Sequence, residues 1–231
     1  IKSMLMASAK DSFPKVPDNF GDAFEGGFYA GKVTKSDGIY AVIVSPKASG
    51  ENGGVKLQYK DSLTDTVGAR SLVEGLANTM AMNTSTYPAA FYCIGLTING
   101  YDDWYLPARD ELELAYRNLK PSSVLNSTGT RADSAIIYSP LDDINRYYGE
   151  NRYSVPNRGA YLSTNPLRTS SSAFIVGGSE FFIEDSYLTS TEFGTSYSWR
   201  GIFEQGIQTT TFKTTLTYVR AFRSVKIAEL P

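Results

Sequence analysis

Two β-prone, largely apolar runs at residues 27–33 and 39–44 flank a Ser36-Asp37-Gly38 turn, a pattern that predicts a hairpin. Residues 46–54 read as a polar loop and 55–59 as a further short strand. A different period starts near Thr66. Ala69, Leu72, Val73, Leu76, Ala77 and Met80 fall at i, i+3, i+4, i+7, i+8 and i+11, which predicts a helix over 66–82 with Asp65 as N-cap. A second helix is predicted after Trp104-Tyr105-Leu106-Pro107. Leu112, Ala115, Tyr116 and Leu119 repeat the spacing, Pro107 suits the entrance and Pro121 ends it. Glu113 and Arg117 form an i,i+4 pair, expected on its solvent side. From Pro121 to about Tyr187 the pattern dissolves into Ser, Asn, Thr, Tyr and Arg, with short strand-like runs only at 135–138 and 173–176. So long an irregular stretch points to function. Strands return at 187–191, 197–203 and 218–225. The expected class is α+β, with two main helices, a small antiparallel sheet and long loops. Residues 1–19, with Pro14 and Pro17, read as a connector to an upstream region, and 20–231 as one domain. Met4-Leu5-Met6-Ala7 lacks the layout of a signal peptide.

Composition narrows the chemistry. The 231 residues contain no histidine and one cysteine, Cys93. A Ser-His-Asp triad, a Cys-His pair, a His-ligated metal and an intrachain disulfide are therefore excluded, which points to a protein that is not an enzyme. Oxygen-ligand metals remain open. Asp142-Asp143-Ile144-Asn145 is oxygen-rich but lacks EF-hand spacing, so the expectation is no cofactor, with calcium as the open alternative. The charge of -2 argues against nucleic acid, and no apolar run reaches the ~20 residues of a membrane span.

Tyrosine, with 16 copies, suits either a recognition surface or a ring-filled core. The segment 145–161 mixes Tyr, Arg, Asn and Gly as binding loops do, and marks Tyr147, Tyr148, Arg152, Tyr153, Arg158 and Tyr161 as candidate ligand contacts. A second patch at 195–200 adds Tyr197 and Trp199. The alternative for the first is a solvated loop whose Tyr residues tuck inward, and for Trp199 a place in the core. Asp103-Trp104 reads as a core device. Arg220 and Arg223 should face opposite sides of a strand, at least one of them paired with a carboxylate such as Asp103 or Glu192.

Three segments occur in a set order: Asp103-Trp104-Tyr105-Leu106-Pro107 through Glu111-Leu112, then Tyr187-Leu188-Thr189-Ser190-Thr191-Glu192, then Tyr218-Val219-Arg220-Ala221-Phe222-Arg223. Over roughly residues 60–226 this resembles the Lcl C-terminal domain family, with its "DWRLP…EL", "YWSSTE" and "YVRAVR" segments. Two departures stand out. Ala108 replaces the usual Ser or Thr helix cap, leaving Glu111 to reach back to a free backbone N–H, and Leu188 replaces the family's Trp. The resemblance implies a C-type-lectin-like fold related to formylglycine-generating-enzyme-like domains. The start at 24–31 and the strand at 40–47 are similar to phage tail-fibre and receptor-binding proteins. The implied role is a host-recognition domain of the virion tail. It would act outside the cell on a bacterial surface glycan or outer-membrane protein, alongside other tail proteins, as a homotrimer. The alternatives are a bacterial adhesin, a purely structural tail protein, or a formylglycine-generating-type enzyme, for which the needed cysteine pair is missing.

Overall fold

The computed structural model describes residues 13–128 and 151–231, and the fold is α+β. The predicted hairpin is β2 (Gly27–Lys35) and β3 (Gly38–Val44), paired antiparallel. A two-residue strand, β1 (Ala23–Phe24), flanks β2, and β7 (Phe222–Ala228) flanks β3, giving the sheet order β1-β2-β3-β7. A second antiparallel sheet holds β4 (Ser186–Phe193), β5 (Tyr197–Ile202) and β6 (Ile207–Phe212) in that order. Residues 46–54, expected as loop, carry the short helix α1 (Lys47–Gly50) and a 3₁₀ turn. The remaining helices are α2 (Gly75–Met80), α3 (Pro88–Ile94) and α4 (Arg109–Leu119). No described helix is long and apolar enough to cross a membrane.

The helix expected over 66–82 shrinks to the six residues of α2, and Glu74, not Asp65, is its N-cap. Its stripe is split: Ala69 and Val73 are buried, while Leu76 and Met80 are 41% and 53% exposed. The backbone of 66–72 is engaged elsewhere. Thr66 N–H donates to the Glu192 carboxylate, Ser71 N–H to Asn78 Oδ1 at 3.0 Å, and the Ala69 and Leu72 carbonyls accept from Glu192 and Asp110. Local periodicity loses to these tertiary bonds, and Gly68 at φ 86° turns the chain besides.

The helix predicted after Pro107 is α4, and it organises the molecule. Leu112, Ala115, Tyr116 and Leu119 enter a core with Val33, Val42, Val44, Phe182, Tyr187, Phe203 and Phe222. Phe182 stacks on Phe203 at 4.1 Å. The helix entrance shows how the missing cap is replaced. Glu111 Oε2 accepts the Ala108 N–H at 2.9 Å, the expected reach-back, and Thr191 Oγ1 on β4 accepts the Arg109 N–H at 3.0 Å. Glu111 is itself buried, its Oε1 held by Lys35 Nζ at 2.8 Å and by the Tyr105 hydroxyl at 2.7 Å. The Glu113–Arg117 pair is not on a solvent face. Both side chains lie inside, because residues 151–161 cover that side of the helix.

A second core joins α3 to the motif segments: Tyr59, Ala89, Ala90, Cys93, Trp104, Leu106, Leu188, Val219 and Ala221. Of the two late arginines, expected on opposite sides of one strand, only Arg223 lies in β7; Arg220 precedes it, and the two take separate partners. Arg223 makes a two-pronged pair with Asp103, at 2.6 and 3.0 Å. Arg220 is fully enclosed and reaches Glu51, Glu180 and the Ser45 carbonyl, each at 2.8 Å.

Candidate ligand-binding face

Residues 120–128 and 151–185 contain no helix or strand, yet they are tightly held. The first anchor is Asn151, fully buried against the polar side of α4. Its Nδ2 donates to Glu113 Oε2 at 2.6 Å and to the Asp110 carbonyl at 2.9 Å, and its Oδ1 accepts the Tyr153 and Ser154 amides. Ser154 Oγ then closes the turn, donating to the Asn151 and Pro156 carbonyls and accepting the Arg158 N–H. On its other side this turn runs beside β2: Thr34 N–H donates to the Tyr153 carbonyl at 2.7 Å and Val155 N–H to the Lys32 carbonyl at 2.9 Å.

The second anchor is Asn126. Its Nδ2 reaches the carbonyls of Leu162, Ser163 and Pro166, and its Oδ1 accepts the Tyr116 hydroxyl and Lys120 Nζ, each at 2.7 Å. Lys120 is buried as well and also donates to the Val124 carbonyl. Burial lowers its pKa, against the opposing pull of Glu184. Burial also pushes the Tyr116 hydroxyl up, with Glu184 and Glu113 adding to the shift. Between the two tied segments lies an open groove of about 290 Å³ walled by Val124, Leu125, Pro166, Leu167 and Arg168. Leu125 and Leu167 are 60% and 73% exposed on its walls. The crevice under Tyr161, between α4 and β5, is far smaller, about 10 Å³, with room for roughly one water.

The expected ligand residues divide. Tyr147 and Tyr148 lie outside the described residues, as do the strand-like run 135–138 and the oxygen-rich Asp142, Asp143 and Asn145. Arg152 is exposed and lies 5.1 Å over the ring of half-buried Tyr153, and Arg158 is half-buried. Tyr161 is a correction. It is 3% exposed, its hydroxyl donates to Glu113 at 2.8 Å and the Arg117 guanidinium covers its ring at 4.5 Å, so it fastens the loop from inside. Trp199 is likewise buried, under the Arg109 guanidinium at 4.9 Å and edge-on to Phe193. Tyr197 stays exposed and stacks on Phe212 at 4.7 Å. The run 173–176 is a turn, with Phe174 in the core. Among the described residues no group of acidic, Cys or His side chains is placed to hold a metal ion. Sequence reading missed the groove and its anchors, because Asn126 and Lys120 carry no signal that sets them apart from other polar residues around them.

The motif segments prove to be one another's neighbours. Tyr105 bridges Phe222, Tyr187 bridges Tyr218, and Thr191 caps the helix that follows Pro107. They form the scaffold, and the loops form the surface. A scan against protein-family models finds no match for this sequence, and a search of curated proteins finds no relative.

Proposed function

We propose that this chain is a host-recognition domain of a bacteriophage tail or tail fibre, a C-type-lectin-like module of the Lcl C-terminal kind. It binds a bacterial surface glycan or outer-membrane protein, acts at the host surface as part of the virion, and does no chemistry on its ligand. The observation that carries this reading is the loop face itself. Its irregular backbone is fixed by buried Asn126, Asn151 and Glu113, so little ordering entropy is lost when a ligand binds. The same face presents two exposed leucines on a groove with a polar rim, the make-up of a recognition patch rather than of scattered surface residues. The mutual packing of the three motifs supports the family likeness, since residues that build a scaffold recur together for reasons of packing.

The test is binding of the purified chain to host cells and competition with phage adsorption. Leu125→Asp combined with Leu167→Asp should weaken binding at least about tenfold, roughly 1.4 kcal/mol. Stability should stay within about 0.5 kcal/mol, because both side chains are exposed. A wild-type chain that neither binds cells nor blocks adsorption sinks the reading, and a double variant that binds as before removes the groove from it.

A further inference from the structure

Among the described residues the β6 strand has an open side, pairing only with β5. Two bonds fix which of its backbone groups face away. At one end Lys213 N–H donates to the Ser196 carbonyl at 3.0 Å. At the other, Gly206, at φ 75°, forms a bulged turn in which its N–H reaches the Ile202 carbonyl at 2.9 Å. Both bonds lie in one phase of the ladder. Ile207, Thr209 and Thr211 therefore turn their backbone groups toward β5, while Gln208, Thr210 and Phe212 turn theirs outward.

Exposed edges are normally guarded by charge, proline, shortness or a covering loop. The other sheet follows that rule: β1 has two residues, residues 153–155 cover the adjoining part of β2, and β7 carries Arg223 and Lys226. The six residues of β6, Ile-Gln-Thr-Thr-Thr-Phe, include no charge, proline or glycine.

We infer that β6 is a self-association edge and that its occupant is β6 of a second copy of this chain, antiparallel across a two-fold axis at Thr210. That register sets Thr210 against the partner's Thr210 and Gln208 against the partner's Phe212. It engages the outward amides of all three residues and the Gln208 and Thr210 carbonyls, with the Phe212 carbonyl shared with the Thr215 N–H that it already accepts at 2.9 Å, and it joins two three-stranded sheets into one. A two-fold axis brings like residues together, so a charged strand would repel itself, and this strand carries none. Two-fold pairing replaces the three-fold assembly that the family likeness implies, and it stands apart from the receptor reading.

Sedimentation velocity across a dilution series, with amide hydrogen exchange, tests it. The wild-type chain should pass from 25.3 kDa to a species of twice that mass, with the Gln208, Thr210 and Phe212 amides becoming protected as it does so. Thr210→Pro removes only an outward amide and should leave a monomer with the melting temperature of the dilute, monomeric wild type. Thr210→Lys should do the same by repulsion across the axis. Thr209→Pro, which removes an inward amide, should instead lower the melting temperature. A wild-type chain that stays monomeric or forms a trimer overturns the inference. So does a Thr210→Pro chain that still dimerises or loses stability as Thr209→Pro does, or protection of the three amides at every dilution.

Discussion

Residues 151–168 and strand β6 are both polar stretches without a clear apolar pattern, and they end in opposite conditions. The first has no regular structure, yet its backbone is bonded to Asn126, Asn151, Ser154 and β2. The second is a regular strand with one row of backbone groups facing away from its only described neighbour. Regularity and saturation are separate properties. Where each backbone N–H and C=O finds a partner decides how firmly a segment is held, whatever its secondary structure. A loop can therefore be the fixed part of a binding face, and a strand the reactive part.

Glu113→Ala should break that contrast most strongly. Glu113 is buried and accepts from Arg117, Tyr161 and Asn151, so its loss leaves the Arg117 charge in the interior without this partner. Breaking a buried pair from one side costs about 3–5 kcal/mol. Chemical unfolding reads the loss, and hydrogen exchange localises it: the Thr34 amide, now bonded to the Tyr153 carbonyl, should exchange faster, while β6 is unaffected. A loss under about 1 kcal/mol, with Thr34 still protected, would mean that the loop is held by other means.

Asn126→Ala acts on the outer half of the same loop. It removes one donor from each of the Leu162, Ser163 and Pro166 carbonyls, which keep the Asn165 amide, the residue-126 amide and Lys120, and it removes the acceptor of the Tyr116 hydroxyl and one acceptor of Lys120. A cost of about 1–3 kcal/mol is expected. Receptor binding should fall with it, although Asn126 is buried and cannot itself touch a ligand. Unchanged binding in a measurably loosened variant would show that the groove does not need its anchor.

How legible these regions were follows from how far away their partners lie. Helix α4 was readable because its determinants are local: the Leu112, Ala115, Tyr116 and Leu119 stripe, Pro121, and Glu111 bonding three residues back. The stretch 66–82 carried an equally good stripe and misled, because Glu192, more than a hundred residues on, takes the Thr66 amide. That at least one of Arg220 and Arg223 pairs with a carboxylate such as Asp103 was foreseen from charge and position in the motifs, whereas the Glu51 and Glu180 partners of Arg220 were not. The anchoring roles of Asn126 and Asn151 were not, since in a stretch full of Asn and Ser nothing marks the ones that turn inward. Tyr161 and Trp199 were misplaced for a related reason: a ring that suits a ligand suits a core equally well.

The smallest expected effect is a pH slope at Lys120, inside the saturated loop. Burial lowers its folded pKa, while in the unfolded chain it returns to the ordinary 10.5. Between those two values the unfolded chain holds a proton that the folded chain has shed, so stability rises with pH through that window and levels off above 10.5. Lys120→Met keeps the length of the side chain and removes the titration. The stability of wild type minus that of Lys120→Met should therefore climb as pH rises from neutral toward 10.5. Tyr116 works in the other direction: its raised pKa gives stability that is complete below 10.0 and lost as pH rises through the folded value. It is present in both chains, so the subtraction removes it. A flat difference across the window would mean that bonds to Asn126 and to the Val124 carbonyl fully offset the cost of burying the ammonium, and that saturating a loop leaves no electrostatic residue.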